Sequence, residues 1–372
     1  MSYTTYTSSK PSPSSIAERI VLNPSLTMSL YCYSILRLDP YVGCSFNCKY
    51  CFVKSLPGAR GIPRPIPDHP KLLEKVLISF SETPLLDMPY RLSALTDPLQ
   101  PIEEKMKYTY EILRLADKNN LKILLSTKSA LVVHEPWIGQ ILRLAEKHSI
   151  TVQVTLTTLD EKLSRCLEPG APPPEERLKT IEVLDASGVP VVVRLQPLIP
   201  YINDGEEELE YLLSSVAAAG ARQVIAEYYR FLSERELKDI AHCTSKWSSK
   251  SRLFDKRFWE VFPSGSQKRP LLHYRRAKYF FLKERAKSNK ILFSICREGL
   301  YDLWTAPDCC GIHFMKNYRL KPTLREIMNG EYGRNPLYIE KKEFSSVPYV
   351  RVRRKIYKYY EILKKYKNIG YK

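Results

Sequence analysis

The chain has no uninterrupted apolar run long enough to span a bilayer. Its Ser/Thr/Pro-rich opening, Met1 to Ser15, has no apolar core of the kind a signal peptide needs. These absences exclude a helical membrane protein and predict a cytoplasmic protein without membrane contact, with a flexible tail over residues 1–30. Acidic residues are scarce in one place only. Residues 241–372 hold 11 Asp+Glu against 31 Lys+Arg, whereas residues 1–240 hold 29 against 27. The formal excess of +18 therefore sits in the last third. Such a split predicts a near-neutral catalytic body, residues 31–240, joined to a basic region, residues 241–372, that offers a surface to a polyanion such as DNA or RNA. The cysteines number nine, an odd count, and three of them lie between residues 44 and 51. That usage argues against a secreted disulfide framework and for metal chemistry in a reducing compartment.

The three are Cys44, Cys48 and Cys51, in the run Tyr-Val-Gly-Cys-Ser-Phe-Asn-Cys-Lys-Tyr-Cys-Phe from Tyr41 to Phe52. Thiolates at this spacing in one loop can hold three irons of a cubane cluster, and the missing fourth leaves one iron open to an external ligand. A structural zinc ion is the other reading of the spacing. Zinc normally takes four protein ligands, and no His or fourth Cys follows closely after Cys51.

Across residues 31–240 short β-rich runs alternate with longer amphipathic ones, the pattern of βα units around a parallel sheet. Six strands are expected, near Cys32–Leu38, Tyr90–Leu95, Leu121–Ser126, Ile150–Leu156, Pro190–Leu195 and Arg222–Ala226. Helices are expected over Pro70–Phe80, Ile102–Asn119, Pro136–His148, Pro174–Ala186 and Glu206–Ala219, several opened by Pro at the first turn. Parallel barrels bind ligands at the carboxyl ends of their strands. Here those ends carry the cysteine loop, then Thr96 and Asp97, Thr127 to Ser129, Thr157 and Thr158, Arg194 and Gln196, and Glu227 to Tyr229. Taken singly, a Thr or Asp after a strand is commonly a turn former or helix cap. Six equipped ends beside a three-cysteine loop weigh against zinc and for a catalytic site.

With these motifs in view, the chain resembles the radical S-adenosylmethionine superfamily, in particular its spore photoproduct lyase-like branch, often labelled DNA repair photolyase-like. The matching text is Asp39-Pro40-Tyr41-Val42-Gly43-Cys44, Leu95-Thr96-Asp97-Pro98-Leu99-Gln100-Pro101-Ile102-Glu103, Ser126-Thr127-Lys128-Ser129, Glu168-Pro169-Gly170 through Arg177, and Gln196-Pro197-Leu198-Ile199-Pro200. The resemblance implies an α/β fold, a partial (β/α)6 parallel barrel, which agrees with the six units placed above. It implies that Cys44, Cys48 and Cys51 ligate a [4Fe-4S] cluster and that Tyr50 lies against the adenine of S-adenosylmethionine. Thr96, Asp97, Lys128 and a Thr at the end of strand four, Thr155 or Thr157, would then contact the cofactor's ribose, amino or carboxylate groups. An anionic Asp97 and a cationic Lys128 suit a zwitterionic amino acid group. An external donor would supply an electron, and reductive cleavage of the sulfonium would give a 5′-deoxyadenosyl radical that takes hydrogen from the substrate. Glu168 and Arg177 fit either a structural ion pair or a substrate-side role. One departure stands out: Ala94 and Leu95 occupy the place where spore photoproduct lyases carry a hydrogen-donating cysteine.

The last third is expected to be a basic, mainly helical C-terminal extension. Its mixed runs His273–Phe281 and Arg351–Tyr360 could track phosphates with cations and stack bases on tyrosines, or could be ordinary basic amphipathic helices. Cys296, Cys309, Cys310 and His313, with Asp302 and Asp308 nearby, could form a second metal site, an auxiliary iron-sulfur cluster or zinc. Alternatively Cys309 or Cys310 could act as hydrogen donor at the barrel mouth. Cys32, Cys166 and Cys243 are isolated in sequence and read as packing residues, and the Ser/Lys-rich stretch Cys243–Arg252 reads as a hinge. Together these features predict a radical S-adenosylmethionine enzyme acting on nucleic acid. The alternatives are the same chemistry on a protein or small metabolite, or a non-enzymatic, metal-stabilised nucleic-acid-binding protein.

Overall fold

The computed structural model describes residues 29–33, 36–55, 62–245, 253–261 and 267–369. Most of the expected tail, and the hinge beyond Ser245, lie outside the described residues. The body is one parallel sheet of seven strands in sequential order: β1 (Leu36–Leu38), β2 (Pro89–Leu92), β3 (Lys122–Thr127), β4 (Ile150–Thr155), β5 (Val191–Leu198), β6 (Gln223–Tyr228) and β7 (Leu292–Ile295). The first six are the six strands expected from the sequence. Sequential parallel order follows from right-handed βα crossovers, and rolls the sheet into a partial barrel with helices outside.

β7 comes from the basic third. Its residues Leu292 to Ile295 pair in register with Gln223 to Ala226 of β6, so the sheet runs on past residue 240. The connection from β6 to β7 carries α7 (Glu234–Cys243), a small hairpin (Trp259–Val261 with Lys268–Pro270) and α8 (Leu272–Ser288).

The outer helices are α1 (His69–Phe80), α2 (Tyr108–Lys118), α3 (Trp137–Glu146), α4 (Glu161–Leu167), α5 (Pro174–Ala186) and α6 (Glu206–Ala218). The segment expected as one helix over Ile102–Asn119 is broken. Ile102–Met106 and α2 are separated by Lys107 in the left-handed region, at φ 53°. The cause is Glu103, fully buried, whose carboxylate accepts hydrogen bonds from the Thr109 and Tyr110 amides at 2.9 and 3.0 Å and from Trp137 Nε1 at 2.7 Å. A carboxylate there satisfies the first amides of α2 and its helix dipole, so a new helix starts where the old one would continue.

Outward strand residues such as Tyr90, Ile123, Val152, Val193 and Val224 are fully buried between sheet and helices. Each aliphatic member contributes about 1.5–3 kcal/mol by leaving water. Inward residues meet a different partner. The segment from Asp308 to Met315 fills the lower half of the barrel, with Cys309, Cys310, Ile312 and Met315 packed on Leu124, Val192 and Ile225. Inward polar side chains hold its backbone: Thr151 Oγ1 donates to the Gly311 carbonyl at 2.8 Å, Gln153 Nε2 to that of Cys310 at 2.8 Å, Gln223 Nε2 to that of Asp308 at 2.9 Å and Ser294 Oγ to that of Cys309 at 3.2 Å. The last third is therefore part of the barrel's interior.

Gly311 is where this plug comes closest to the strands. Its φ is +76°, and a Cβ there would lie 2.5 Å from Val192 Cγ2 and 3.0 Å from Thr151 Cγ2. Gly311→Ala should lower stability by about 2–4 kcal/mol, the sum of left-handed strain and overpacking. A fall in the urea midpoint relative to Ala306→Gly, a nearby change without that clash, is the measurement; an unchanged midpoint would refute the plug geometry.

Candidate active site

The cysteine loop has little secondary structure of its own, so its form is set by what grips it. From one side the segment after β2 holds it: Gln100 accepts from the Ser45 amide at 2.9 Å and donates to the Gly43 carbonyl at 3.0 Å. The Tyr41 hydroxyl donates to Glu103, and Asp39 accepts from the Ala94 and Leu95 amides at 2.8 Å each. From the other side comes the segment after α4. The Lys49 amide donates to the Leu167 carbonyl at 2.7 Å and the Gly170 amide to the Phe46 carbonyl at 3.1 Å. Gly170 is needed here because a Cβ would lie 2.3 Å from the Ser45 carbonyl oxygen.

Held in this way, Cys44, Cys48 and Cys51 line one cavity of about 450 Å³ and form no disulfide. Its other walls include Leu95, Tyr229 and the α7 residues Arg235, Glu236 and Asp239. The sequence reading had not picked out the α7 residues, because a charged helix start carries no motif. Burial pushes the Cys44 and Cys48 thiols up, to about 11 and about 12. A metal must displace their protons, so loading of this site releases acid.

Behind the loop lies a buried charge network. Glu168 and Arg177 form an ion pair with side chains at most 1% exposed, and the Tyr50 hydroxyl donates to Glu168. Arg177 also donates to the carbonyls of Pro172 at 2.8 Å and Thr155 at 3.3 Å, which marks the pair as structural. The Lys128 ammonium stands 5.7 Å from the Tyr50 ring centre; burial opposes its charge, but Cys48 and Glu168 raise its pKa above the usual value. Thr157 is buried with Oγ1 3.4 Å from Glu168, and Thr155 is buried at the end of β4. Thr96 closes the turn after β2, its carbonyl accepting from Ser93 Oγ at 3.0 Å.

Asp97 is buried in the turn after β2. Its carboxylate accepts from Thr127 Oγ1 at 2.7 Å, the Leu99 amide at 3.0 Å and the Lys128 amide at 2.7 Å. It ties two strand ends together and fixes the backbone of Lys128.

Residues 38–213 match the family model described as Radical SAM superfamily. Over those residues the chain carries a radical SAM domain, of a family that uses a [4Fe-4S] cluster and S-adenosylmethionine. Among curated proteins it is similar to an uncharacterized protein of Mycobacterium tuberculosis, 27% identical over 193 residues, which are 50% of this chain and 56% of that one. An uncharacterized protein of Methanocaldococcus jannaschii is 26% identical over 213 residues, 55% of this chain and 73% of that one. The chain thus spans about half the length of the first relatives it matches. Among solved structures, a spore photoproduct lyase variant with bound AdoMet and dinucleoside spore photoproduct aligns with a TM-score of 0.56 at 12% identity, covering 72% of this chain and 78% of that chain. At that identity the likeness is one of fold.

The candidate cysteines and histidine of the last third are placed differently from expectation. Cys309 and Cys310, with Sγ atoms 3.4 Å apart, lie buried on the barrel floor instead of at its mouth, because the inward Gln and Thr side chains draw their backbone down. Cys310 Sγ is 3.1 Å from Arg91 Nη2; its contact with Cys309, and then Arg91, bring its thiol down to about 6 against the effect of burial. His313 turns its Nδ1 to Asp308 at 2.7 Å. Among the described residues no three His, Cys, Asp or Glu are close enough to hold a single metal ion, which removes zinc from Cys296, Cys309, Cys310 and His313 and equally from Cys44, Cys48 and Cys51; a cluster whose irons take one thiolate each needs no such convergence.

Cys166 and Cys243, read as isolated packing residues, form a disulfide with Cα atoms 5.7 Å apart. It joins α4, beside Glu168, to the end of α7, which walls the cysteine cavity. A separation of 77 residues gave the sequence no local sign of the pairing. Among the described residues no helix is long and apolar enough to cross a membrane.

The ion pair sets a pH dependence. Glu168 is held below the usual carboxylate range because Arg177, and then Lys128, outweigh the cost of burial. A depressed carboxylate stabilises the fold fully above its unfolded pKa and loses that contribution as pH falls through its folded value. Glu168→Gln leaves Arg177 buried without a counter-charge and should cost about 3–5 kcal/mol. Denaturant titrations at neutral and mildly acidic pH check this: the wild-type advantage over Glu168→Gln should shrink on acidification, and a constant difference would rule the pair out as its source.

Proposed function

We propose that Cys44, Cys48 and Cys51 hold a [4Fe-4S] cluster, that S-adenosylmethionine completes its coordination, and that the protein uses this pair to modify nucleic acid. The observation that carries the first two parts is the set of three free thiols on one cavity wall, gripped by backbone hydrogen bonds from two sides. The donor set fits the group: three soft thiolates suit iron-sulfur ligation, and the cavity lining holds no further Cys or His. When bound, the two cofactors supply one-electron chemistry strong enough to remove hydrogen from carbon, with the electron drawn from an external donor.

The chain's own residues position and shield. Lys128 is the cationic partner for the cofactor's carboxylate, and Asp97 acts by holding the Lys128 backbone in place. Tyr50, backed by Glu168, gives an apolar face beside the cysteines. Thr96, Thr155 and Thr157 line the strand ends as hydroxyl donors. Leu95 and Tyr229 keep water from the cavity.

Support for a nucleic acid target comes from charge. The run His273–Phe281 is used up by the fold: Arg275 is buried against Glu260 and Glu298, Arg276 pairs with Asp302 at 2.5 Å and Lys278 with Glu206 at 3.0 Å. The second run lies on α9 (Val350–Ile369), whose Val352, Ile356, Tyr359, Tyr360 and Leu363 are core residues. Those tyrosines are therefore unavailable for stacking, yet Arg351, Arg354, Lys358 and Lys365 stand exposed along one helical face. Such a row suits a phosphate backbone. The lyase variant that shares the fold binds a dinucleoside lesion.

Anaerobic reconstitution should give visible iron-sulfur absorbance, and dithionite with S-adenosylmethionine should yield 5′-deoxyadenosine. Cys44→Ala should abolish both, and Lys128→Ala should raise the cofactor KM at least ten-fold; a Cys44→Ala protein with full iron and cleavage would sink the assignment. For the nucleic acid part, single-stranded oligonucleotide affinity should fall steeply with salt. Replacing Arg351, Arg354 and Lys358 with Gln should reduce the log–log slope by about one per lost phosphate contact. A salt-independent or unchanged titration would redirect the target to a protein or small metabolite.

A further inference from the structure

Above the plug, at the carboxyl ends of the strands, the inward side chains are polar and charged. In strands that are otherwise buried, the partly exposed residues include the inward ones near the carboxyl ends: Arg37 of β1, Ser126 of β3, Arg194 and Gln196 of β5, and Glu227 of β6. Their direction follows from strand alternation, since Leu124, Val192 and Ile225, two residues before Ser126, Arg194 and Glu227, face the plug.

These charges do not balance. Arg91 and Arg194 converge on the same neutral acceptor, Gln153 Oε1, at 3.0 and 2.8 Å. Arg230 and Arg297 likewise share one oxygen of Glu227, at 2.5 and 3.2 Å. Four guanidiniums thus gather around one carboxylate and the Cys310 thiol. Arg194, like Arg91, has no ion-pair partner among the described residues, and its hydrogen bond goes to an uncharged amide. Placing a like charge beside it, in a site walled by protein, is costly unless an anion arrives. On the same strand face, both amide atoms of Gln196 are buried without a hydrogen-bond partner. An unsatisfied amide next to an uncompensated guanidinium describes a site missing its ligand.

We propose that this set of side chains is the substrate's oxyanion site, in which Arg194 and Arg297 take a phosphate or carboxylate group of the substrate and Gln196 donates to it. Arg91, anchored to Gln153, Ser126 and Cys310, is a positioning residue that keeps Arg194 turned inward. A planar or tetrahedral oxyanion can receive two guanidinium donors at once, which is the recognition Arg performs and Lys does not. The proposal deepens, and for its link to catalysis rests on, the radical SAM reading: an anion anchored at the carboxyl ends of β5 and β6 fixes one end of the substrate at the barrel end that carries the cysteine loop.

The test is anion binding by the full chain at constant ionic strength, read by thermal unfolding, with sodium phosphate and sodium acetate as probes and sodium chloride as the balance. Millimolar phosphate or acetate should raise the melting temperature in a saturable way. Tighter phosphate binding indicates a phosphate-bearing substrate, and tighter acetate binding a carboxylate. Arg194→Gln should weaken the better probe at least ten-fold, Arg194→Lys less, and Gln196→Met several-fold. Cys44→Ala should titrate like the wild type, which separates this outcome from failure of the cluster assignment, read independently by iron content. Binding by neither probe, or equal binding by the wild type, Arg194→Gln and Gln196→Met, would overturn the proposal, the latter as an adventitious anion only. Should Arg194→Gln fail to fold by circular dichroism, Gln196→Met, which changes no charge, decides.

Discussion

The site depends on the grip that flanking segments exert on an otherwise irregular cysteine loop. A loop with so few internal hydrogen bonds must find partners for its amides and carbonyls elsewhere, and whatever supplies them fixes where the sulfurs point. Gln100 reads both faces of the Gly43–Ser45 peptide run, while Leu167 and Gly170 take the far side. The two clamps belong to different βα units, so the thiols converge only when the strands are already in register. The clamps are themselves braced: Glu103 is locked by Tyr41, Trp137 and the start of α2, and Glu168 by Arg177 and Tyr50. Two buried carboxylates on opposite sides thus carry the loop's geometry.

A second consequence concerns the basic third. Its segment Asp308–Met315 is the barrel's floor, and β7 is the sheet's last strand. Its helix α8 lies on the barrel helix α6, where Lys278 pairs with Glu206 and Arg285 with Glu210. Neutral body and basic tail are in part complementary charges of one packed structure. Among the described residues, the exposed cations of α9 belong to what remains for a partner, a smaller set than composition alone suggests.

Much of this was legible in the sequence, and the failures have physical causes. All six expected strands exist because each is a short run of apolar or β-branched residues preceding a polar turn, a local property. The cluster cysteines were legible because their spacing is local too. Lys107 breaks a helix that periodicity made continuous, since the cap comes from Glu103, whose carboxylate turns back onto the start of α2. β7 was missed because α7, a hairpin and α8 stand between it and β6, which breaks the regular spacing of the βα units. The disulfide Cys166–Cys243 and the burial of Tyr359 and Tyr360 are long-range facts; Tyr359, for example, donates to the Pro322 carbonyl at 2.6 Å. Side-chain roles inside the motifs are also long-range facts: Asp97 spends three hydrogen bonds on Thr127, Leu99 and Lys128, and Gln100 spends its own on the cysteine loop.

Residues shared through the motifs, Asp39, Gln100, Glu103 and Glu168, spend hydrogen bonds on the segments around the cysteine loop. Arg194 and Gln196 stand above a floor supplied by the last third, the one bonded to an uncharged amide and the other with both amide atoms unpartnered. The barrel therefore separates two layers by origin: the first two thirds hold the cysteine loop, and the plug from the final third forms the floor beneath the inward charges of β5 and β6.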